Sequence, residues 1–204
     1  EISIDELASI FIKQQEKDVE NINLVTPTSY VPQIIEAIKI ARNDGLKLPI
    51  VYNTNGYEKV ETLKMLEGYS DNDLAKRLSE VDNYFEIVTE ALKEMYRQTG
   101  KSIFNDDGIM QKGMIIRHLV LPNHILNSRR VLKWINENMH DVYVSVMAQY
   151  FPTYKAKDID DINRKLTKEE YEQIENYLYR LDLENGYIQE LGEHEEEYVP
   201  KWEI

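Results

Sequence analysis

Met114-Ile115-Ile116-Arg117-His118-Leu119-Val120-Leu121, closed by Pro122-Asn123, is the stretch on which the fold turns. A short apolar run rich in isoleucine and leucine and stopped by proline reads as a buried strand. The spacing predicts a helix after it, with Val131, Leu132, Trp134 and Ile135 on one face and a cap near Asn127 or Ser128. A second apolar run, Val142-Tyr143-Val144-Ser145-Val146-Met147, follows that helix. Strand, helix and strand at this spacing form a parallel βαβ unit, because a parallel partner needs a crossover helix.

The same rhythm runs backward to the N-terminus. Ser3-x-x-Glu6 is a capping box ahead of Leu7, Ile10 and Phe11. Ile22-Asn23-Leu24-Val25 is a strand leading into the loop Thr26-Pro27-Thr28-Ser29. Pro32 fits the first turn of a helix with Ile34, Ile35, Ile38 and Ala41 on its apolar stripe. After Asn43-Asp44-Gly45, residues 48–52 read as the next strand, with Asn53-Thr54-Asn55-Gly56 as its loop. A helix through Val60, Leu63 and Leu66 stops at Gly68. There the rhythm breaks. Ser70-Asp71-Asn72-Asp73 opens further helix with no strand between, and a long helix follows with Tyr84, Phe85, Val88, Leu92, Met95 and Tyr96 inward. Residues 101–113 read as irregular around the turn Asp106-Asp107-Gly108. Thr167-x-x-Glu170 caps a last helix with Tyr171, Ile174, Leu178 and Leu181 inward, and Asp158, Asp160 and Asp161 read as a helix start.

Four strands with helices between them define an α/β fold with parallel strands. A closed eight-stranded barrel typically needs ~250 residues. The 204 residues of this chain therefore favour a partial, TIM-like barrel. In such folds function sits in the loops after the strands' C-terminal ends. Here those loops fall at 26–29, 53–57, 122–127 and 148–154.

Composition narrows the chemistry. Net charge is −13, with 24 basic against 37 acidic residues, which argues against a general nucleic-acid or anionic-membrane binder. Residues 182–204 alone carry eight acids and one base, so they read as an acidic, solvated tail behind a domain at 1–181. No apolar run approaches the ~18 residues of a membrane span, and the acidic start does not resemble a signal peptide, so the expected location is cytoplasmic. Cysteine is absent, which removes thiolate nucleophiles, disulfides and Cys-ligated metal from these residues.

The candidate residues each have two readings. His118 and Arg117 are strand neighbours and point to opposite faces, so one looks inward and the other toward the helices. His118 is either a hydrogen-bonded core residue or a site residue. Asn53-Thr54-Asn55-Gly56 is either a plain turn or a binding loop. Gln149-Tyr150-Phe151-Pro152-Thr153-Tyr154 either covers a rim or stacks on a purine. His194-Glu195-Glu196-Glu197 is a solvated run or a divalent-cation site, and no metal site is expected from the four scattered histidines.

Four strings together resemble radical S-adenosylmethionine (SAM) enzymes, in the branch related to pyruvate formate-lyase activating enzymes. They are Asn21-Ile22-Asn23-Leu24-Val25-Thr26-Pro27-Thr28-Ser29-Tyr30-Val31-Pro32, Pro49-Ile50-Val51-Tyr52-Asn53-Thr54-Asn55-Gly56-Tyr57-Glu58, Ile115-Ile116-Arg117-His118-Leu119-Val120-Leu121-Pro122-Asn123 and Ser145-Val146-Met147-Ala148-Gln149-Tyr150-Phe151-Pro152. The resemblance implies a partial (β/α)6 barrel. It also implies a [4Fe–4S] cluster on three cysteines after the first strand, reductive cleavage of SAM to a 5′-deoxyadenosyl radical, and hydrogen abstraction from a substrate. That substrate would be a glycine of a partner glycyl radical enzyme, and an electron donor would be needed. By position it places Thr26 and Thr28 at the SAM amino group. It places Asn53, Thr54 and Asn55 near the ribose and methionine, and Arg117, Gln149 and Tyr150 near adenine.

This sequence departs from the family twice. The first strand with its cysteine loop is missing, and so is the strand expected between Gly68 and Tyr69 that would carry an Asp-Phe-Lys-like SAM contact. The expectation is a chain that lacks residues of the intact protein and is inactive as it stands. The alternative from another class is a non-catalytic α/β scaffold that binds a nucleotide or a protein. An acid–base barrel enzyme using Arg117 and His118 is a third reading.

Overall fold

The computed structural model describes residues 2–17, 19–53, 84–183 and 185–191. Thr54, Asn55, the helices expected between Val60 and Asp73, and residues 192–204 with His194 lie outside them.

Helix α1 (Ile4–Gln15) opens on the expected capping box: Glu6 N–H donates to Ser3 Oγ at 3.2 Å, and Ser3 N–H donates to Glu6 Oε2 at 2.7 Å. Strand β1 (Ile22–Val25), helix α2 (Val31–Asn43) and strand β2 (Ile50–Asn53) follow, with Pro32 in the first turn of α2. β1 and β2 pair in parallel, from Ile22 opposite Ile50 to Val25 opposite Asn53. Ala8, Phe11, Ile22, Ala37, Ala41 and Leu46 form the buried core here, and α1 packs on α2. Gln15 ties the end of α1 to the turn before β2, with its Oε1 accepting from Lys47 N–H at 2.6 Å and its Nε2 donating to Gly45 O at 3.2 Å.

Helix α3 (Tyr84–Thr99) ends at Gly100, as its spacing predicts. The segment read as irregular is instead a small antiparallel hairpin, β3 (Ile103–Phe104) with β4 (Met110–Lys112). Its turn is the expected one: Asn105 Oδ1 accepts from Ile109 N–H at 2.8 Å, and Gly108 has φ +76°. Strands of two and three residues are too short to leave a periodic signal.

β5 (Ile115–Leu119), α4 (Ile125–Asn138), β6 (Tyr143–Met147) and α5 (Lys168–Leu181) complete the expected βαβα order. Thr167 and Glu170 form the capping box of α5. α4 starts earlier than expected, with His124 rather than Asn127 or Ser128 at its N-cap. Ser128 lies inside the helix because its hydroxyl bonds His118 across to the sheet, at 2.9 Å. The acids at 158–161 open no helix either: a 3-10 turn (Tyr154–Asp158) ends there, and Asp161 turns toward His124.

A further strand, β7 (Gly186–Ile188), pairs parallel with β6, so the sheet order is β5-β6-β7 and the sheet reaches past the expected domain boundary at 181. This strand was not legible because it is three residues long, flanked by acids and exposed throughout. It needs its glycine: a Cβ on Gly186 would lie 2.5 Å from Val144 O.

Alternate residues Ile116 and His118 of β5, and Val144 and Val146 of β6, face α4 and α5. They meet Val131, Leu132, Ile135, Tyr171, Ile174 and Leu178, each nearly or fully buried and worth roughly 1.5–3 kcal/mol of burial as a large apolar side chain. The architecture is α/β with parallel strands in two sheets, β1-β2 and β5-β6-β7, and the described residues form no closed barrel.

Candidate functional site

The C-terminal ends of the parallel strands carry the backbone strain of the molecule. Four non-glycine residues among those described have positive φ, and three follow a strand: Thr26 (φ 51°) after β1, Asn123 (φ 63°) after β5 and Tyr154 (φ 46°) after β6. A β-branched residue in this region is unusual, and such strain gathers at binding loops.

β1 and β2 bring two of the candidate groups together. Thr26 N–H donates to Asn53 O at 2.8 Å, so the loop 26–29 begins directly beside the end of β2. Pro27 is buried beneath it, and Thr28 opens the 3-10 turn (Thr28–Tyr30) half-buried. Thr26, Thr28 and Asn53 therefore share one strand-end corner. Thr54 and Asn55 lie outside the described residues.

On the second sheet, alternation separates the remaining candidates. Arg117 and Gln149 lie on the face away from α4 and α5; Arg117 is exposed and Gln149 half-buried. Gln149 Oε1 accepts from Gln189 Nε2 at 3.1 Å, while Gln189 Oε1 accepts from Ala148 N–H at 3.2 Å. Tyr150 goes the other way. It is buried, and its hydroxyl donates to Ile162 O at 3.0 Å, so it braces the loop instead of joining Gln149.

His118 resolves as a core residue. It is 7% exposed, paired with Ser128, and burial pushes its pKa down to about 4, so the ring is neutral near pH 7. Among the described residues no group of three or more His, Asp or Glu could hold a metal ion.

A polar clamp that the spacing did not reveal fixes the loop after β5. Arg164 donates to both Glu170 oxygens, at 2.7 and 2.8 Å, and to Asn123 Oδ1 at 2.7 Å. Glu170 Oε1 accepts from Asn123 N–H at 2.7 Å, and Asn123 Nδ2 donates to Asp161 O at 2.6 Å. The guanidinium holds the Glu170 carboxyl down at about 2. Beside it, His124 Nε2 lies 3.2 Å from Asp161 Oδ2. Glu170 is legible in the sequence as a cap; nothing local marks Arg164, because its partners Glu170 and Asn123 lie 6 and 41 residues away.

This arrangement can bind: the strand ends offer hydroxyl, amide, carbonyl and guanidinium groups held at fixed places. An uncharacterized protein of Methanocaldococcus jannaschii is 35% identical over 196 residues, covering 87% of this chain and 52% of that protein. The chain thus spans about half the length of the curated relative it matches. No family model and no solved structure matches the chain. Among the described residues no helix is long and apolar enough to cross a membrane.

Proposed function

We propose that this chain carries the SAM-binding side of a radical SAM enzyme related to pyruvate formate-lyase activating enzymes, built on part of a (β/α)6 barrel. The observation that carries this reading is the corner where Thr26 N–H meets Asn53 O. It puts the start of the 26–29 loop beside Asn53, the last described residue of β2, at the ends of adjacent parallel strands. Gln149, half-buried on the face of the second sheet away from the helices, adds an amide suited to a zwitterionic nucleoside; Tyr150 is withdrawn from the set.

The [4Fe–4S] cluster does not fit these residues, since the sequence has no cysteine to ligate it. No step of the reaction is assigned to this chain through the cluster. Its own share is to hold SAM, present a substrate such as a partner protein's glycine, and keep both apart from water.

The test has two arms. Calorimetry of the 204-residue chain with S-adenosylhomocysteine is expected to show binding that weakens at least tenfold in Asn53→Ala. Anaerobic reconstitution of the full-length gene product with iron and sulfide is expected to yield 5′-deoxyadenosine on adding SAM and reductant. A gene without a three-cysteine motif overturns the enzymatic reading. Absence of cysteine favours the second reading, a non-catalytic nucleotide- or protein-binding scaffold, and nucleoside binding without turnover by the full-length product is its signature. The acid–base reading loses its base, because His118 faces α4 instead of the strand ends.

A further inference from the structure

The geometry points to a carboxylate-binding row across the open face of the β5-β6-β7 sheet, centred on Arg117. The register places Arg117 opposite Ser145, and Ser145 opposite Tyr187. In-register residues of parallel strands share a face, so a guanidinium, a hydroxyl and a phenol stand in one line. At the usual strand spacing that line spans roughly 10 Å. Tyr187 is 52% exposed, Arg117 is exposed, and Ser145 is half-buried.

Among the described residues these donors are barely spent. Arg117 Nη2 meets the Met147 sulfur at 3.1 Å, a weak acceptor, and forms no ion pair among the described residues. Neither the Ser145 nor the Tyr187 hydroxyl has a hydrogen-bond partner among them. A half-buried hydroxyl and a guanidinium on a sheet face, both short of acceptors, gain most from a ligand that brings oxygen.

Surroundings select the ligand's remaining chemistry. One side of the row is aromatic, with Tyr143 5.0 Å from Phe104 and 6.0 Å from Tyr187, centroid to centroid. The other side carries Leu119, Met147 and the Gln149–Gln189 amide pair. Arg117 is the sole Lys or Arg on β5, β6 or β7. One fixed cation matches a monoanion better than a phosphate dianion. A planar guanidinium also binds carboxylate in a two-bond fork. The ligand is therefore a small carboxylic acid with an apolar or aromatic body.

This moves Arg117 away from the adenine role that the resemblance implies, and the carboxylate row stands independently of the proposed function. SAM carries a sulfonium and an ammonium against one carboxylate, a net positive charge that a neighbouring guanidinium repels. Arg117 is better matched to a second, anionic molecule than to the adenosyl cofactor.

The experiment uses 3-phenylpropionate and its neutral amide as probes on the 204-residue chain, read by amide and Arg Nε–H shifts in two-dimensional NMR. The acid is expected to bind at least tenfold tighter than the amide, with shifts centred on Arg117, Ser145 and Tyr187. Arg117→Gln is expected to erase that preference while far-UV circular dichroism and S-adenosylhomocysteine affinity stay unchanged. Arg117→Lys is expected to keep part of it. Equal binding of acid and amide by the unaltered chain overturns the inference, as does a preference that survives in Arg117→Gln. Loss of S-adenosylhomocysteine binding in Arg117→Gln also overturns it and returns the residue to the cofactor. Failure of the unaltered chain to bind S-adenosylhomocysteine, with the acid preference intact, removes the SAM reading and leaves the carboxylate row standing.

Discussion

The β1-β2 region and the β5-β6-β7 region obey the same βα rule but are filled with different material. The first buries Ala8, Ala37 and Ala41 where its helices meet, with Phe11, Ile22 and Leu46 as its large buried apolar residues. The second buries Leu92, Leu132, Ile135, Tyr171 and Ile174 at 2% exposure or less. Alanines let helices approach closely but remove little apolar surface from water. The first region therefore depends more on polar ties: Gln15 on Lys47 and Gly45, and Arg42 donating to Leu46 O and Leu48 O at 2.8 Å each. What the contrast teaches is a division of labour. The region with the larger core draws more on apolar burial, and the region with the smaller one has less of it beside its polar ties.

The strongest way to break this comparison is in the larger core. Leu132→Ala is expected to cost about 2–5 kcal/mol, read by chemical denaturation. Hydrogen exchange in the unaltered chain is expected to protect β5 and β6 more than β1 and β2. The reverse order would reject the division of labour.

Acid should separate the regions next. His118 lies on β5, so its acid-linked loss belongs to the second region. The unfolded chain takes up a proton on His118 near its ordinary 6.5, whereas the folded chain resists until about 4. Stability is thus intact above 6.5 and is lost as pH falls toward 4, by about 3 kcal/mol for this one group. Exchange rates in β5 and β6 are expected to climb across that window before those in β1 and β2 move. Flat protection in β5 down to pH 4 would refute it.

A smaller effect is expected from the clamp. Arg164→Met leaves a half-enclosed Glu170 without its cation and is expected to cost about 2 kcal/mol in thermal or chemical unfolding, with chemical-shift changes at Asn123 and His124. The depressed Glu170 carboxyl contributes stability above its ordinary 4.5 that is lost as pH falls toward 2, and Arg164→Met should flatten that lower window. Smallest of all are the caps. Ser3→Ala and Thr167→Ala are each expected to cost about 1 kcal/mol by removing one hydrogen bond to an orphan helix N–H. Comparable losses from both would show that the caps are interchangeable and the cores are not.

Most of the elements were legible, and for local reasons. Capping boxes at Ser3 and Thr167, the proline in α2 and the apolar runs of β1, β5 and β6 are written within a few residues of where they act. β3, β4 and β7 were not, since strands of two or three residues carry no period. Among the candidate residues, Thr26 and Asn53 are joined across adjacent strand ends, while Tyr150 turns inward to bond Ile162 O and Gln149 pairs with Gln189. Asp161, Arg164 and Glu170 are brought to Asn123 from 38, 41 and 47 residues away.

The sequence by itself determined the parallel α/β order, because helix period, strand period and capping act over short stretches and leave local marks. It also determined that no cysteine-held cluster can sit on these residues. Only the tertiary structure decided which face each strand residue takes, that His118 is spent on Ser128, and that Arg117, Ser145 and Tyr187 stand in one row. Those facts depend on register between strands far apart in the chain, and register is set by packing across the sheet rather than by any residue's neighbours.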